Sequence, residues 1–236
     1  MTDTLIKHAI KTAGTMLAFA LVGTALLAYV FEVTRTPIEN SEAEARIALF
    51  KQILPDEAYY NDDDDEAHDN HLLKNIIEIA PNPLLGNKTP TKAYRAKRHH
   101  KFEAVILEAI AHDGYSGDIK LLIAIRADGS ISGVRVLAHK ETPGLGDYID
   151  ITHSNWINQF NDESLAKTPA QQWQVKKDGG QFDYMAGATI TPRAVVKAIF
   201  KATQYFEENK QVLFFDEGAD KNEIKQKAKE KKKHKD

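Results

Sequence analysis

The segment from Asp183 to Pro192 is the first place in the chain where residue types and spacing suggest chemistry. Three small residues at its centre let another molecule approach the backbone closely, and the hydroxyls of Thr189 and Thr191 follow them. The sequence predicts a helix that begins here, with Thr191 as its N-cap and Pro192 at its first position. A helix N-terminus has free N–H groups and a partial positive charge, so it can bind a phosphate. A tight turn before a capped helix has the same local sequence, so both interpretations stay open at this point.

The loop from His139 to Asp147 is the second candidate segment. One proline and two glycines, at positions 143, 144 and 146, give it a stiff backbone with unusual angles, and Glu141 and Thr142 add polar side chains. Loops that are held by a sheet often carry binding sites. A purely structural turn would explain the same pattern, so the loop by itself does not define a site.

Alternating apolar residues predict the antiparallel sheet that must position these two segments. Two glycines at positions 114 and 117, and the Asp128-Gly129 dipeptide, predict turns between neighbouring strands. The strands are expected at Leu72–Ala80, Ala93–Arg98, Phe102–Ala111, Ile119–Ile125, Ile131–His139 and Gln172–Lys177.

Helical spacing predicts three further elements around the sheet. Residues 41–44 have the pattern of a capping box, and apolar residues continue at helical spacing as far as Pro55. Trp156 and Phe160 are expected on a short helix, as core anchors. The closing helix presents one apolar face, made of Val195, Ile199, Ala202 and Phe206. Sheet and helices together predict an α+β fold.

One segment, Thr12–Phe31, is long and apolar enough to cross a membrane. Its twenty residues carry no charge, and at about 1.5 Å per residue they span the roughly 30 Å hydrocarbon core. A cleaved signal peptide is the main alternative, because Ala18-Phe19-Ala20 has a small-x-small pattern, although it lies in the middle of the segment. Lys7 and Lys11 precede the segment, so the positive-inside rule places residues 1–11 in the cytoplasm and the rest of a single-pass protein outside.

Composition excludes several classes of function. The 236 residues include no cysteine, so a disulfide, a thiolate metal site, an iron–sulfur cluster and a cysteine nucleophile are all excluded. The histidines show no metal-ligand spacing, and we predict no metal site. A net charge of −3 does not fit a nucleic-acid-binding protein. Residues 62–66 form an acidic run, and residues 220–236 hold eight lysines against four acids, which predicts a disordered Lys-rich tail.

Taken together, these features resemble one family, the G subunit of the Rnf (Rsx) electron-transport complex. A relative of that subunit is the C subunit of the sodium-translocating NADH:quinone reductase. The resemblance covers nearly the whole chain, because it includes the single N-terminal anchor, the turn at 114–117, the loop at 141–146 and the segment that precedes the closing helix. It implies an FMN-binding domain at residues 32–219.

The most specific part of the resemblance is the pattern Asp-x-x-Ser/Thr-Gly-Ala-Thr/Ser. In that family a flavin transferase recognises this pattern and esterifies its last hydroxyl to the phosphate of FMN. The pattern matches Asp183, Gly187, Ala188 and Thr189, whereas Ala186 replaces the usual Ser or Thr without taking part in the bond. The resemblance therefore implies that FMN is bound covalently to Thr189 and that Asp183 is read by the transferase.

The family also implies a flavin pocket formed by the loop. Glu141, Thr142, Leu145 and Gly146 are the residues expected to line it, with Gly187 and Ala188 beside the attachment residue. Because the loop is far in sequence from Thr189, we expect loss of the Glu141 carboxylate to change the redox behaviour of the flavin and to leave the covalent bond largely intact.

The expected function is that of a flavin-carrying subunit that relays electrons within a bacterial inner-membrane complex, where the complex couples electron transfer to ion translocation. Its partners would be the other subunits of that complex and, during maturation, the flavin transferase. Residues 32–219 would be periplasmic, and no residue is assigned a catalytic role of its own. The alternative from another class is a cofactor-free, membrane-tethered periplasmic adaptor that binds partners through the acidic run and the Lys-rich tail.

Overall fold

A long apolar helix and an alternating β-rich sequence produce two structural units, Met1–Ala48 and Leu49–Asp236. The computed structural model describes residues 2–54, 75–98 and 101–214. Two helices and five strands are found in these ranges, namely α1 (Thr2–Ile53), β1 (Ile76–Ile79), β2 (Thr91–Arg98), β3 (Lys101–Gly114), β4 (Gly117–Arg126), β5 (Ile131–Ala138) and α2 (Ile190–Leu213). Short 3-10 helices connect β5 to α2, at Asp147–Ile149, Asn155–Phe160, Ala170–Gln172 and Lys176–Asp178.

Helix α1 contains one segment, Ile6–Arg35, that is long and apolar enough to cross a membrane. The prediction of a separate helix that starts at residues 41–44 is wrong, because α1 continues without interruption through Pro37 as far as Ile53. Pro37 removes one N–H donor from the helix. The Glu, Ala and Arg residues that follow are strong helix formers and carry the helix on.

The sheet has the order β1-β2-β3-β4-β5, and each strand is antiparallel to its neighbour in sequence. Its two faces pack against different elements. One face, which includes Leu107 and Ile123, shares a core with the apolar side of α2. The other face packs against the end of α1 through Phe50 and Ile53. The α+β prediction, with a single apolar N-terminal helix and an antiparallel sheet, is therefore confirmed.

Two strand predictions differ from the structure. Gln172–Lys177 is not a strand: it consists of turns and 3-10 helices in which only Val175 forms an isolated bridge, with Phe182. Trp173 and Val175 are buried, so its apolar spacing reflects core packing and not sheet pairing. The first strand covers only Ile76–Ile79, and residues 72–74 lie outside the described residues, as do the acidic run and the Lys-rich tail.

His112 connects the loop between β1 and β2 to the main hairpin. Its Nδ1 atom lies 2.8 Å from Oδ1 of Asp118, and its Nε2 atom lies 2.7 Å from the carbonyl oxygen of Gly86. Both ring nitrogens face acceptors, so the doubly protonated ring satisfies both. The pKa of His112 is raised from its ordinary value of 6.5, first by the hydrogen bond to Asp118 and then by that to Gly86.

We predict that His112 stabilises the fold in a pH-dependent manner. Because its folded pKa is raised, its contribution is fully present below pH 6.5 and is lost as the pH rises through the folded pKa. An NMR titration of the His112 ring in the detergent-solubilised full chain should give a pKa above 6.5, the ordinary value. Asp118→Asn should lower that pKa, and an unchanged value in this variant would contradict the assignment.

Candidate functional site

The start of α2 is formed by Thr189 and not by Thr191. The helix begins at Ile190, so Thr189 occupies the N-cap position, yet its side chain makes no capping hydrogen bond. Pro192 is then the third residue of the helix, where a missing N–H is still tolerated. The prediction that Thr191 caps the helix is wrong, because its hydroxyl has a partner elsewhere in the chain.

A tight turn positions Thr189 at the end of the motif. The N–H of Ala188 donates to the carbonyl of Met185 at 3.1 Å, which closes a four-residue turn. Gly187 is the third residue of that turn and has φ of +89°. This angle favours glycine, because a side chain would be strained there. The Gly-Ala pair of the motif thus directs the chain into α2.

Glu141 joins three separate parts of the chain. It is only 5% exposed, and both of its oxygens accept hydrogen bonds. Oε1 accepts from the N–H of Ser116 at 3.0 Å, in the turn between β3 and β4. Oε2 accepts from the hydroxyl of Thr191 in the first turn of α2. Glu141 therefore holds the hairpin turn, its own loop and the N-terminus of α2 together.

Gly146 lets the loop close around this carboxyl group. The N–H groups of Leu145 and Gly146 both donate to the carbonyl of Thr142 at 3.1 Å, so the loop turns back on itself. A Cβ atom at Gly146 would lie 2.7 Å from Oε2 of Glu141 and 2.9 Å from the hydroxyl oxygen of Thr191. A side chain at this position would displace Glu141 or Thr191, so glycine keeps their hydrogen bond intact.

A cleft of about 380 Å³ opens between the loop and the start of α2. Leu145 is 51% exposed and Ile190 is 46% exposed, so apolar surface faces its opening. The cleft brings together all seven residues that the sequence indicated for cofactor binding, and it adds three more. Its lining consists of Tyr115, Glu141, Thr142, Leu145, Gly146, Gly187, Ala188, Thr189, Ile190 and Thr191.

Asp183 lies apart from these residues and does not line the cleft. Its side chain is 66% exposed and pairs with Lys176, whose Nζ atom is 2.5 Å away. Its backbone is held on both sides. The N–H of Asp183 donates to Gln159, and its carbonyl accepts from the Trp156 indole, each at 2.7 Å. The carboxylate is therefore presented on the surface by a fixed backbone.

Sequence reasoning missed several residues around the site. Tyr148 contacts the turn that carries Gly187, since its hydroxyl oxygen accepts a hydrogen bond from the N–H of Met185 at 3.1 Å. Burial raises the pKa of Tyr148, so the phenol stays protonated and can also donate. Trp156 was predicted only as a core anchor. No local signal marks these contacts, because they join segments that lie far apart in sequence.

Comparison with known proteins identifies two regions of the chain. Residues 114–204 match the model of the FMN-binding domain family. Residues 1–53 match the model of the RnfG N-terminal region. The first match runs from the turn between β3 and β4 into α2, and it includes every residue that lines the cleft.

Curated relatives match over most of their length. A protein of Pseudomonas aeruginosa, named as the G subunit of an ion-translocating oxidoreductase complex, is 46% identical over 201 residues, which cover 85% of this chain and 90% of that protein. The G subunit of Shewanella baltica is 43% identical over 87% of this chain and 92% of its own. The G subunit of Vibrio cholerae is 42% identical over 87% of this chain and 94% of its own length.

The cleft fits a flavin mononucleotide in size and in chemistry. Its volume of about 380 Å³ lies in the usual range for small-molecule sites, roughly 300–1,000 Å³. The exposed apolar side chains of Leu145 and Ile190 suit an aromatic ring system, and the N-terminus of α2 suits a phosphate. Among the described residues, no group of three or more His, Asp or Glu side chains could hold a metal ion.

We predict that Glu141→Ala destabilises the folded domain. The Ser116 N–H and the Thr191 hydroxyl would both lose their buried acceptor, which should lower the free energy of unfolding by about 2–4 kcal/mol. This loss of stability adds to the expected change in the redox behaviour of the flavin, because Glu141 also contacts a residue two positions from Thr189. Denaturant unfolding of the full chain would measure the loss.

Asp183→Ala is the matched control for this experiment. It also removes an acidic side chain, but from an exposed ion pair, so the free energy of unfolding should fall by less than about 1 kcal/mol. Equal losses in the two variants would show that Glu141 does not hold the three segments together.

Proposed function

This chain belongs to the G-subunit family of ion-translocating oxidoreductase complexes, and we propose that it carries FMN joined by a phosphoester to Thr189. In this role it serves electron transport within a membrane complex. The observation that carries the proposal is the cleft. Thr189 lines it together with Glu141 and Gly146, and the Thr189 side chain makes no capping hydrogen bond to the helix. The family match to an FMN-binding domain over the same residues supports it.

The two threonines at the start of α2 differ in their availability. Thr191 is 1% exposed, and its hydroxyl donates to Glu141. Both residues line the cleft, but Thr189 is 9% exposed and its side chain makes no capping hydrogen bond. An attachment residue needs a hydroxyl that the transferase can reach, so Thr189 is the better candidate.

The start of α2 would also stabilise the phosphate of a bound FMN. The first N–H groups of a helix have no partner within it, and the helix dipole adds a partial positive charge. Pro192 lacks an N–H, so Ile190 and Thr191 supply the donors of the first helical turn. Both residues line the cleft. Together they favour a phosphoester held just ahead of the helix.

The walls of the cleft would hold the flavin ring and keep water from part of it. Leu145, Ile190 and Tyr115 supply apolar surface, and Thr142 supplies a polar side chain at the rim. When bound, FMN supplies the redox chemistry, and the chain binds and orients it. Catalysis by this subunit alone is not part of the proposal.

The surface position of Asp183 supports its proposed role in maturation. Its carboxylate lies outside the cleft and is well exposed, so a flavin transferase can contact it before FMN is attached. The same exposure argues against a direct contact with the bound cofactor. We propose that Asp183 is recognised by the transferase and takes no part in electron transfer.

We further propose that the subunit spans the membrane once and works with other subunits. Segment Ile6–Arg35 would anchor a single-pass subunit in the bacterial inner membrane, with its N-terminus in the cytoplasm and the FMN-binding domain in the periplasm. The other subunits of the complex would be its partners, and the complex would couple electron transfer to ion translocation. The cofactor-free adaptor has no supporting observation, because its two charged segments lie outside the described residues.

We predict that Thr189→Val abolishes covalent flavin while the domain still folds. Valine nearly matches threonine in shape but lacks the hydroxyl that forms the ester. After coexpression with the flavin transferase, the wild type should show a fluorescent band on a denaturing gel and this variant should not. Thr189→Ser should keep the band. A wild type that carries no flavin would favour the adaptor instead.

Thr191→Val is the matched control, since it removes the neighbouring hydroxyl. It should keep the fluorescent band and lose about 1–3 kcal/mol of stability, because Glu141 loses a buried donor. A band that disappears in Thr191→Val and persists in Thr189→Val would reverse the assignment of the attachment residue.

We predict that the N-terminus is cytoplasmic and the domain periplasmic, because Lys7 and Lys11 precede the apolar segment. The absence of cysteine makes accessibility labelling clean, since any single introduced cysteine is the only target. In intact spheroplasts, an impermeant maleimide should label Lys120→Cys and spare Asp3→Cys. Permeabilised spheroplasts should label both. The opposite pattern in intact spheroplasts would establish the reverse orientation.

A further inference from the structure

Side chains of segment 148–159 form hydrogen bonds with the backbone of the attachment motif, residues 183–189. Trp156 donates its indole N–H to the carbonyl of Asp183, and Gln159 accepts from the N–H of the same residue, each at 2.7 Å. Side chains of one segment thus satisfy backbone groups of another that is more than twenty positions away. Segments outside helices and strands are usually more mobile than the elements that they connect, whereas both backbone groups of Asp183 are hydrogen-bonded here.

Tyr148 forms hydrogen bonds with the same backbone at the turn of residues 185–188. Its hydroxyl oxygen accepts from the N–H of Met185 at 3.1 Å and donates to the carbonyl of Ala188 at 3.5 Å. These are the first and last residues of the turn that contains Gly187. One buried hydroxyl therefore bridges both ends of the turn.

The ring of Tyr148 is itself held in place. It is 5% exposed and packs edge-on against Trp156, with ring centroids 5.5 Å apart. The Ser154 hydroxyl donates to the backbone carbonyl of Tyr148 at 2.7 Å. A side chain fixed in this way can impose its position on the turn that it contacts.

We propose that Tyr148 is a positioning residue that clamps the Met185–Ala188 turn and so keeps the attachment side of the cleft closed. Gly187 and Ala188 line the cleft directly before Thr189, and a turn that opens would admit water beside the cofactor. This inference rests on the proposed function for its meaning, but the clamp itself can be measured without any cofactor.

Tyr205 provides a matched control. It is also a buried tyrosine, 8% exposed, and lies on α2. Burial alone raises its pKa, whereas the pKa of Tyr148 also responds to its hydrogen bond with Met185. Removing the hydroxyl from Tyr205 changes a buried ring without touching the turn.

The first experiment is hydrogen exchange on the full chain without flavin, in detergent. Tyr148→Phe should accelerate exchange of the Met185 amide about fivefold, the factor expected when one hydrogen bond is lost. Tyr205→Phe should leave that amide unchanged. Gln159→Met is a second variant and should accelerate the Asp183 amide in the same way. Exchange of the Met185 amide at the wild-type rate in Tyr148→Phe would overturn the proposal, whatever Gln159→Met does to the Asp183 amide.

The second experiment uses chains coexpressed with the flavin transferase. Tyr148→Phe should carry as much covalent FMN as the wild type, but quenching of its flavin fluorescence by acrylamide should rise about twofold or more. Tyr205→Phe should match the wild type. Faster amide exchange with unchanged quenching would show that the clamp does not guard the cleft, and would overturn the proposal.

The two experiments also separate failure of the clamp from failure of the proposed function. A wild type that acquires no flavin would contradict the proposed function, while hydrogen exchange would still decide whether Tyr148 clamps the turn. A flavinylated wild type with no exchange difference between the variants would contradict the clamp alone.

Discussion

The buried carboxyl group of Glu141 is the interaction on which the site depends. Its partners, Ser116 and Thr191, lie 25 and 50 positions away in the sequence. A buried carboxyl group is costly unless its oxygens accept hydrogen bonds. That requirement explains why residue 191 carries a hydroxyl and why residue 146 has no side chain. Without the carboxyl group, the N–H of Ser116 and the hydroxyl of Thr191 would lose the group that links them.

Because Glu141 requires hydrogen-bond donors, the two threonines at the start of α2 have different contacts. One hydroxyl at the start of α2 is committed to Glu141, and the other faces the cleft without a capping role. A helix N-cap usually accepts a hydrogen bond from the first turn. Here that local bond is absent, and the position is stabilised by the turn before it and by contacts from Tyr148. The start of α2 is therefore stabilised without a capping hydrogen bond from the Thr189 side chain.

Sequence patterns predicted the fold and the candidate site better than the contacts within them. The alternating residues of β4, such as Leu121 and Ile123, and the apolar face of α2 were correctly interpreted, because both sets pack into the core between the sheet and α2. The cap at Thr191 and the strand at Gln172–Lys177 were wrong for a shared reason. In each case a distant partner, Glu141 or the core around Phe182, prevails over the local preference. Long-range hydrogen bonds such as that of Tyr148 have no periodic signature, so sequence alone does not predict them.

The position of Thr189 depends on the hydrophobic core. Helix α2 is 24 residues long and buries Val195, Ile199 and Phe206 against the sheet, so its first turn cannot shift without disturbing that packing. The loop of Glu141 extends from the end of β5, in the same sheet. Both walls of the cleft are therefore anchored in one hydrophobic core, and the carboxyl group fixes their separation. Because sites held by packed helices and strands are more precise than sites on free loops, this core explains how a cleft made largely of turns can keep a fixed shape.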